Sequence, residues 1–390
     1  MTKKIIFNKD NIWIYISLFL CFEPKLAVKY PVFNYIYIIG AVIVFVFTSI
    51  KYFKFKSISK TFLVLILLRL SFFPQTLLND GDITMWGYMS IVLLTLCMMF
   101  DLYLKKNCVE FIRIIVNVLV SLLIINLLIY FLYPNGLIDG IYFIGIRTRI
   151  SDIIFPTLAF TLILDYLKQR KYSLKTIVCF IVSILSIFCF SVTTAYIGFL
   201  VFFLIFLLLN SNKQIARLLD LRIIVYVGIF ISLLFTFFHI YTYFSQFIEN
   251  FLHKEATLSS RTLIWAEAIK YIESSPFFGH GLVEDGNFVY WGYVGGIKEL
   301  WQAHNNWLQL LYDGGIFTML VFIHFINRNH SQLSKCRDKH LIIIFLSTIV
   351  AFLIMMISEI YIYTPYFYLI IFAMSNIPLL DLKRKRKSYV

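Results

Sequence analysis

An arginine and a histidine in one long polar stretch have the side chains needed to transfer a group from a phosphorylated donor. Arg261 opens a segment of helical periodicity, where its guanidinium and the free amides of a helix start could bind an anion together. His304 directly precedes an apolar run, and an imidazole there could act as a general base near neutral pH. The alternatives are a lipid-headgroup anchor for Arg261 and a histidine satisfied by local hydrogen bonds, for which Asn305 and Asn306 are neighbours.

Three further arginines are candidates for phosphate binding. Arg147 and Arg149 lie in a loop before an apolar segment and could hold a pyrophosphate; the alternative is an Arg149–Asp152 pair that ties the loop. Arg69 falls inside a predicted membrane span, where a charge is costly unless it faces a polar interior, so it is also a candidate. Its alternative role is a structural partner for a carboxylate such as Glu359.

Other polar residues give weaker signals. His253 and His280 share the long stretch with His304, and composition alone does not separate the three. The pair in Asp80-Gly81-Asp82 is interpreted as a tight turn in preference to a divalent metal site, because two carboxylates alone are weak evidence. The 6 cysteines stand singly, so neither disulfides nor a cysteine metal site is expected. No Walker, Rossmann or HExxH motif occurs, which excludes an obvious nucleotide-driven pump.

The elements that position these residues are predicted to be membrane helices. The chain is 60% hydrophobic and only 14% charged, whereas a soluble domain carries about 25% charged residues. A membrane crossing needs about 20 mostly apolar residues. That rule predicts an all-α, polytopic membrane domain over residues 1–390 with about twelve spans. The predicted spans are 8–23, 31–50, 60–78, 84–104, 109–133, 150–167, 174–191, 194–209, 221–244, 305–327, 340–362 and 365–380.

The distribution of positive charge predicts the orientation of these spans. Most of the 35 lysines and arginines fall in alternate connections and in both terminal segments, and short cytoplasmic loops are enriched in these residues. Both termini are therefore predicted to be cytoplasmic. The large loop 245–304 and the loops 79–82 and 134–149 are predicted to be extracytoplasmic. The net charge of +14 is a topology signal, and we expect no nucleic-acid partner.

The large loop is predicted to contain an amphipathic helix. A serine pair precedes it, Pro276 follows it, and its apolar residues repeat at helical spacing. The apolar residues are Ile264, Trp265, Ala268, Ile269 and Ile272. Such a helix would lie against the outer bilayer surface or against the spans beneath it. Aromatic residues of the region suit either stacking on sugar rings or the interfacial aromatic belt. They are Tyr290, Trp291, Tyr293, Trp301 and Trp307.

Four short motifs follow one another between Arg261 and Gly315. They are Arg261-Thr262-Leu263-Ile264-Trp265, Pro276-Phe277-Phe278-Gly279-His280-Gly281, Ala303-His304-Asn305 and Gly314-Gly315. Their order, and their predicted place on the outer face, resemble the signature of the O-antigen polymerase and O-antigen ligase superfamily. That signature is an arginine before an apolar-Trp pair, a Pro-x-x-Gly-x-Gly turn, and a late His-Asn before a span.

The resemblance implies a membrane-embedded glycosyltransferase that needs no metal and no cofactor. Carried over by motif, Arg261 would hold the pyrophosphate and His304 would assist the acceptor hydroxyl. Arg147 or Arg149 would match the family's arginine loop. Family members often carry Ser-Arg at the outer end of the seventh span, where this chain has Ser191-Val192-Thr193-Thr194. The phosphate site would therefore rely more on the other arginines.

We predict a polymerase of O-antigen or capsular polysaccharide in the bacterial cytoplasmic membrane. Its donor and its acceptor would both be undecaprenyl-pyrophosphate-linked oligosaccharide. It would be surrounded by the lipid bilayer, and a chain-length regulator protein is a candidate partner. The first alternative is an O-antigen ligase that transfers glycan to lipid A-core. The second is a flippase for the lipid-linked unit, which few mid-span charges and one large outer loop disfavour.

Overall fold

The computed structural model describes residues 9–55, 58–169, 172–212, 215, 219–237, 261–282 and 302–381, and within them nearly all regular structure is helical. The first helices are α1 Lys9–Phe22, α2 Lys25–Val28, α3 Pro31–Lys54, α4 Lys60–Leu78 and α5 Ile83–Leu132, and then the 3-10 helix Arg147–Arg149. The next are α6 Ile150–Leu167, α7 Leu174–Phe190, α8 Thr193–Ser211, α9 Leu221–Phe237 and α10 Arg261–Ser274. The last are α11 Asn306–Asn327, α12 His330–Ser334, α13 Lys339–Met355, α14 Pro365–Ser375 and α15 Ile377–Leu380.

The predicted spans are helical over most of the residues that the structure describes, except that the helix of the span predicted at 340–362 ends at Met355 and a turn follows it. Six helical stretches are long and apolar enough to cross a membrane, and five shorter apolar helices accompany them. The predicted break between spans 84–104 and 109–133 lies inside α5, where Asn107 leaves the helical conformation. The predicted division after α7 is also observed, because Ser191 ends that helix with a left-handed φ of +49°. The chain is a helical membrane protein.

The centre of the bundle consists of helices that are buried on all sides. Nearly all of α6 is enclosed, and α5, α13 and α14 pack around it. The peripheral helices α3 and α8 instead expose apolar side chains such as Ile39 and Leu200. A helix with apolar side chains on its outward face suits contact with lipid, since the bilayer core offers no water to solvate polar groups.

The connections between helices meet in two groups at opposite ends of the bundle. At one end, which we call the His304 end, Leu26 donates to Phe143, Asp82 to Leu282, and Arg149 to Ile360. At the other, which we call the Asp165 end, Asp165 accepts from the Ser173 amide, and Arg337 donates to Asp381. At this end Asp10 also pairs with Lys51 and Lys106, and Asp220 with His330. All loops that were predicted as outer and that the structure describes belong to the first group.

Candidate functional site at the His304 end

The peptide before His304 is fixed from two sides. The Ala303 carbonyl accepts a 2.9 Å hydrogen bond from the indole Nε1 of Trp265 in α10. The Ala303 amide donates to the side-chain oxygen of Gln309 in α11, also at 2.9 Å. His304 itself has a left-handed φ of +47°, a conformation uncommon for a residue other than glycine and often found where surrounding structure imposes it. Its side chain is half-buried at the mouth of α11.

The two asparagines after His304 hold the mouth of α11 to its neighbours. Asn305 caps the helix by accepting from the amides of Trp307 and Leu308, and its own amide group donates to Thr236 of α9 at 3.1 Å. The Asn306 side-chain oxygen accepts from the backbone amides of Tyr361 and Ile362. The side chains of Asn305 and Asn306 thus cap the helix and join it to segments that are distant in sequence.

The amphipathic helix α10 packs on a membrane span. Its apolar face, with Trp265 at 1% exposure, forms a buried cluster with Leu308, Leu311 and Tyr312 of α11. Of the two positions predicted for this helix, the one against the spans is therefore observed. Arg261 begins α10 one turn before Trp265, so the backbone of Arg261 lies on the same side of the helix as the indole that contacts Ala303. The Arg261 side chain lies outside the described part of the chain.

The Pro-x-x-Gly-x-Gly motif is joined to a break in α11. The amides of His280 and Gly281 donate to the carbonyls of Tyr312 and Asp313, at 2.7 and 2.8 Å. In the other direction, the Ile316 amide donates to the Pro276 carbonyl at 2.8 Å. These backbone groups of α11 can bond outside the helix because Gly315 departs from the helical conformation.

Glycine is required on both sides of this junction. Gly279 and Gly315 have φ of +70° and +64°. A Cβ on Gly279 would lie 2.5 Å from the amide nitrogen of Gly314, and one on Gly315 would lie 2.3 Å from the Phe277 carbonyl carbon. Such approaches to backbone atoms cannot be relieved by a side-chain rotation. The junction holds residues 276–281 against α11, and so α10 beside it.

His280 has a structural position that separates it from His304. Its Nε2 lies 2.8 Å from the Tyr271 carbonyl and 3.3 Å from the Ser274 hydroxyl, and its ring stacks on Tyr312 at 5.0 Å. His253, the third histidine of the stretch, lies outside the described residues. The structure thus distinguishes a histidine used for packing from one placed at the mouth of a span.

A buried chain of hydrogen bonds extends from Ala303 to the 361–364 turn. Gln309, which accepts from Ala303, donates to one oxygen of Asp313 at 2.9 Å, and the Tyr363 hydroxyl donates to the other oxygen. Burial and the neighbouring Asp313 carboxylate raise the pKa of Tyr363 well above its usual range. Tyr363 therefore stays protonated and remains a donor near neutral pH.

A cavity of about 400 Å³ opens beside this hydrogen-bond chain. Its wall combines the end of α1, the start of α5, Arg149, Asp152, Gln302 and the 363–366 segment. Two ion pairs border it: Arg149 lies 3.6 Å from Asp152, and Lys25 lies 2.7 Å from Glu23. The predicted alternative for Arg149, a pair with Asp152, is thus observed, and Arg149 also donates to the Ile360 carbonyl at 3.4 Å.

The remaining predicted arginines occupy different surroundings. Arg147 is exposed at the start of the 3-10 helix. Arg69 is 3% exposed in α4, donates to Ser90 at 2.9 Å and to the Trp86 carbonyl at 3.2 Å, and lies over the ring of Phe72. The hydrogen bonds of Arg69 thus go to neutral groups, not to the carboxylate of Glu359.

Two further expectations from the sequence are settled by the structure. Asp82 is the N-cap of α5, accepting from the Met85 amide at 2.7 Å, so the Asp80-Gly81-Asp82 segment is a helix-starting turn. Trp307 was expected to stack on sugar or to belong to the aromatic belt, and this is wrong. It is fully buried and packs on Phe322, because the first turns of α11 are enclosed by the bundle. The other four aromatic candidates lie outside the described residues.

Residues 178–323 match the family model described as O-antigen ligase (Wzy_C). The chain carries a domain of the O-antigen polymerase and ligase superfamily. No curated protein matches the chain. Members of this superfamily are glycosyltransferase-like enzymes. The match together with the apolar helices fits a multi-pass protein of the bacterial inner membrane that takes part in polysaccharide biosynthesis.

The superfamily segment begins within α7 and ends within α11. It contains Arg261, His304 and the Gly279–Gly315 junction, while Arg69, Arg147 and Arg149 precede it. The structure brings one of these preceding residues, Arg149, to the segment, because Arg149 and Gln302 line one cavity. The site is therefore assembled from the superfamily domain and from the part of the chain before it.

Sequence reasoning missed the chain of Gln309, Asp313 and Tyr363. The available signal was the spacing of Gln309 and Asp313, four residues apart in an apolar run, which places both on one face of a helix. Polar residues inside a span tend to face the bundle interior and to pair with one another. Tyr363 gave no comparable signal, since its partner is distant in sequence.

Proposed function

We propose that the protein polymerises undecaprenyl-pyrophosphate-linked oligosaccharide repeat units into O-antigen or capsular polysaccharide at the outer face of the cytoplasmic membrane. The superfamily match supports enzymatic glycosyl transfer. The observation that carries the site is the hydrogen bond from Trp265 to Ala303, which joins the helix that begins at Arg261 to the residue before His304. Two motifs separated by about forty residues thereby meet at one place.

The reaction needs few groups from the protein, because the donor brings its own leaving group. An acceptor hydroxyl oxygen attacks the anomeric carbon of the donor sugar, and the bond from that carbon to the pyrophosphate oxygen breaks. His304 takes the hydroxyl proton, a role worth about 10²–10⁴-fold in rate. Arg261 and the free amides at the start of α10 stabilise the charge that develops on the departing undecaprenyl pyrophosphate.

Arg147 is our first choice for the arginine that joins Arg261 at the pyrophosphate. It is exposed and lies two residues before Arg149 of the cavity wall, whereas Arg149 is already paired with Asp152. Arg69 is enclosed in the bundle among neutral acceptors and takes a more remote place in the proposal.

The proposed orientation has twelve spans, both termini in the cytoplasm and the His304 end outside. The grouping of loops supports it, since the loops predicted as outer contact one another and those predicted as cytoplasmic meet at the Asp165 end. The proposed partners are the lipid-linked donor and acceptor, the lipid bilayer and a chain-length regulator protein. The enzyme is proposed to need neither metal nor cofactor.

A ligase is the second candidate, because the matching family model is itself described as O-antigen ligase. It would use the same donor chemistry and transfer finished glycan to lipid A-core. Deleting the gene separates the two: loss of a polymerase leaves single repeat units on the surface acceptor, and loss of a ligase leaves long glycans on the lipid carrier. A flippase, for which no finding speaks, would leave repeat units facing the cytoplasm.

The variant His304→Asn tests the catalytic assignment. Asparagine tolerates the left-handed φ of this position but has no basic nitrogen, so the fold should persist while the base is lost. We expect polymer formation to fall by about 100-fold or more, measured as glycan length on gels with protein level checked by immunoblot. His324→Asn is the matched control, because His324 is exposed near the other end of α11. Near-normal polymer in His304→Asn would refute the assignment.

A further inference from the structure

The cavity beside Arg149 is poorly suited to a pyrophosphate. Three carboxylates among its described lining residues, Glu23, Asp82 and Asp152, face only two cations, Lys25 and Arg149. Both cations are already engaged, Lys25 with Glu23 at 2.7 Å and Arg149 with Asp152 at 3.6 Å. Like charges held in a partly enclosed site repel strongly, because the effective dielectric constant there is lower than in water. A doubly charged pyrophosphate diester would therefore be opposed here.

The same lining suits a ligand rich in hydroxyl groups. Carboxylates accept hydrogen bonds from hydroxyls, and Asn34, Gln302 and Thr364 add neutral donors and acceptors. Tyr88 and Tyr366 contribute aromatic surface to the wall. The volume of about 400 Å³ falls at the lower end of the range of about 300–1,000 Å³ typical of small-ligand sites. That is room for a short stretch of glycan and none for a lipid chain beside it.

The position of the cavity indicates which of the two substrates it holds. Gln302 lines it and lies two residues before His304. Tyr363, which also lines the cavity, belongs to the hydrogen-bond chain that ends at Ala303. A sugar in the cavity is therefore next to the segment that presents the proposed base. The sugar whose hydroxyl is deprotonated belongs to the acceptor.

We infer that this cavity is the subsite for an uncharged, hydroxyl-rich sugar of the acceptor glycan, with Asp152 and Glu23 as its hydroxyl acceptors. The donor pyrophosphate then binds outside the cavity, at Arg147 and Arg261. This inference rests on the proposed function and deepens it, since it gives Arg147 and Arg149 different roles. Arg149 positions Asp152 at the sugar subsite, whereas Arg147 serves the phosphate.

Two probes separate the subsites in the full-length protein held in lipid nanodiscs. One is the repeat-unit oligosaccharide of the strain that carries the gene, freed from its lipid pyrophosphate by mild acid; the other is inorganic pyrophosphate. Asp152→Asn keeps the size of the side chain and removes its charge. We expect it to weaken oligosaccharide binding by about tenfold or more, as loss of a charge-assisted hydrogen bond does, and to leave pyrophosphate binding unchanged. Arg147→Ala should have the reverse effect.

A second variant guards against a folding defect in Asp152→Asn, since Asp152 is buried. Thr364→Trp narrows the cavity from a half-buried position without altering a charge, and it should weaken only the oligosaccharide. If Asp152→Asn or Thr364→Trp weakens pyrophosphate and spares the oligosaccharide, the cavity holds phosphate and the inference is wrong while the proposed function stands. Failure of the active wild-type protein to bind the oligosaccharide would also overturn it. A wild-type protein that makes no polymer would instead remove the proposed function.

Discussion

Two carboxylates at the Asp165 end, Asp165 and Asp381, hold backbone in place, whereas Glu23 and Asp152 at the His304 end border a cavity. Asp165 accepts from the Ser173 amide at 2.7 Å and the Thr176 hydroxyl at 2.6 Å, and Asp381 accepts from the Arg337 amide at 2.7 Å. Glu23 and Asp152 pair instead with the side chains of Lys25 and Arg149 at the cavity wall. A backbone amide cannot leave its partner without unfolding a turn, while a side-chain cation can move when a ligand arrives.

These two pairs of carboxylates thus differ in the donor that each carboxylate pairs with. Among the four, a backbone amide marks a carboxylate that anchors the chain, and a side-chain cation marks one that can bind a ligand. Asp165 and Asp381 each replace water for an amide that a helix start or a loop would otherwise leave unsatisfied. At the His304 end the backbone is fixed by other means, chiefly the junction of residues 276–281 with the break in α11. This leaves Glu23 and Asp152 available to a substrate.

The largest effect is expected at the junction of residues 276–281 with α11, which holds the backbone at the His304 end as carboxylates do at the Asp165 end. Gly315→Val places a branched side chain at a φ of +64°, with its Cβ 2.3 Å from the Phe277 carbonyl carbon. We expect a loss of about 3 kcal/mol or more in the free energy of unfolding, measured as thermal unfolding in detergent. The control is Gly87→Ala in α5, where nothing lies within 4 Å of an added Cβ. A stable Gly315→Val protein would show that the junction is not what holds α11.

The next effect tests the Asp165 end. Asp165→Ala leaves the Ser173 amide and the Thr176 hydroxyl without this acceptor, and each buried group left unsatisfied costs about 1–3 kcal/mol. The protein should unfold at lower temperature, yet polymer formed per folded molecule should match wild type. Comparison with Asp152→Asn, which should lose acceptor binding while staying folded, gives a direct contrast. Loss of specific activity in Asp165→Ala would break the division between the two ends.

Local spacing predicted the parts of the fold that depend on neighbours in sequence. Apolar runs predicted the helices, the break near Asn107 and the division at Ser191, because length and hydropathy alone decide whether a segment can span a bilayer. The Arg149–Asp152 pair was among the alternatives for the same reason, since three residues separate its members on a helical turn.

The parts that sequence reasoning missed depend on contacts between distant segments. The glycines of the Pro-x-x-Gly-x-Gly motif and Gly315 were recognisable as a signature, but nothing in their spacing places Gly279 against Gly314. The cavity is likewise made by α1, α5, the 3-10 helix and the 363–366 segment, whose proximity is set by how the spans pack. Burial of Trp307 also depends on the segments that enclose the first turns of α11.

The smallest expected effect concerns the link between Arg261 and His304. Trp265→Phe retains an aromatic ring in the cluster with Leu308 and Tyr312 but removes the indole donor to the Ala303 carbonyl. Loss of one such hydrogen bond costs about 1 kcal/mol, so the protein should stay folded. If the bond holds α10 and His304 in register, polymer formation should fall by several-fold, because small displacements of catalytic groups slow the chemical step.

The control for Trp265→Phe lies on the same helix face. Ile272→Val trims the same buried cluster without touching a hydrogen bond, and it should reduce stability by a similar, small amount while leaving specific activity unchanged. Equal activity in the two variants would mean that the Trp265–Ala303 contact only packs the helix. A lower activity in Trp265→Phe alone would show that the His304 end is organised around this contact, in the way that the Asp165 end is organised around its carboxylates.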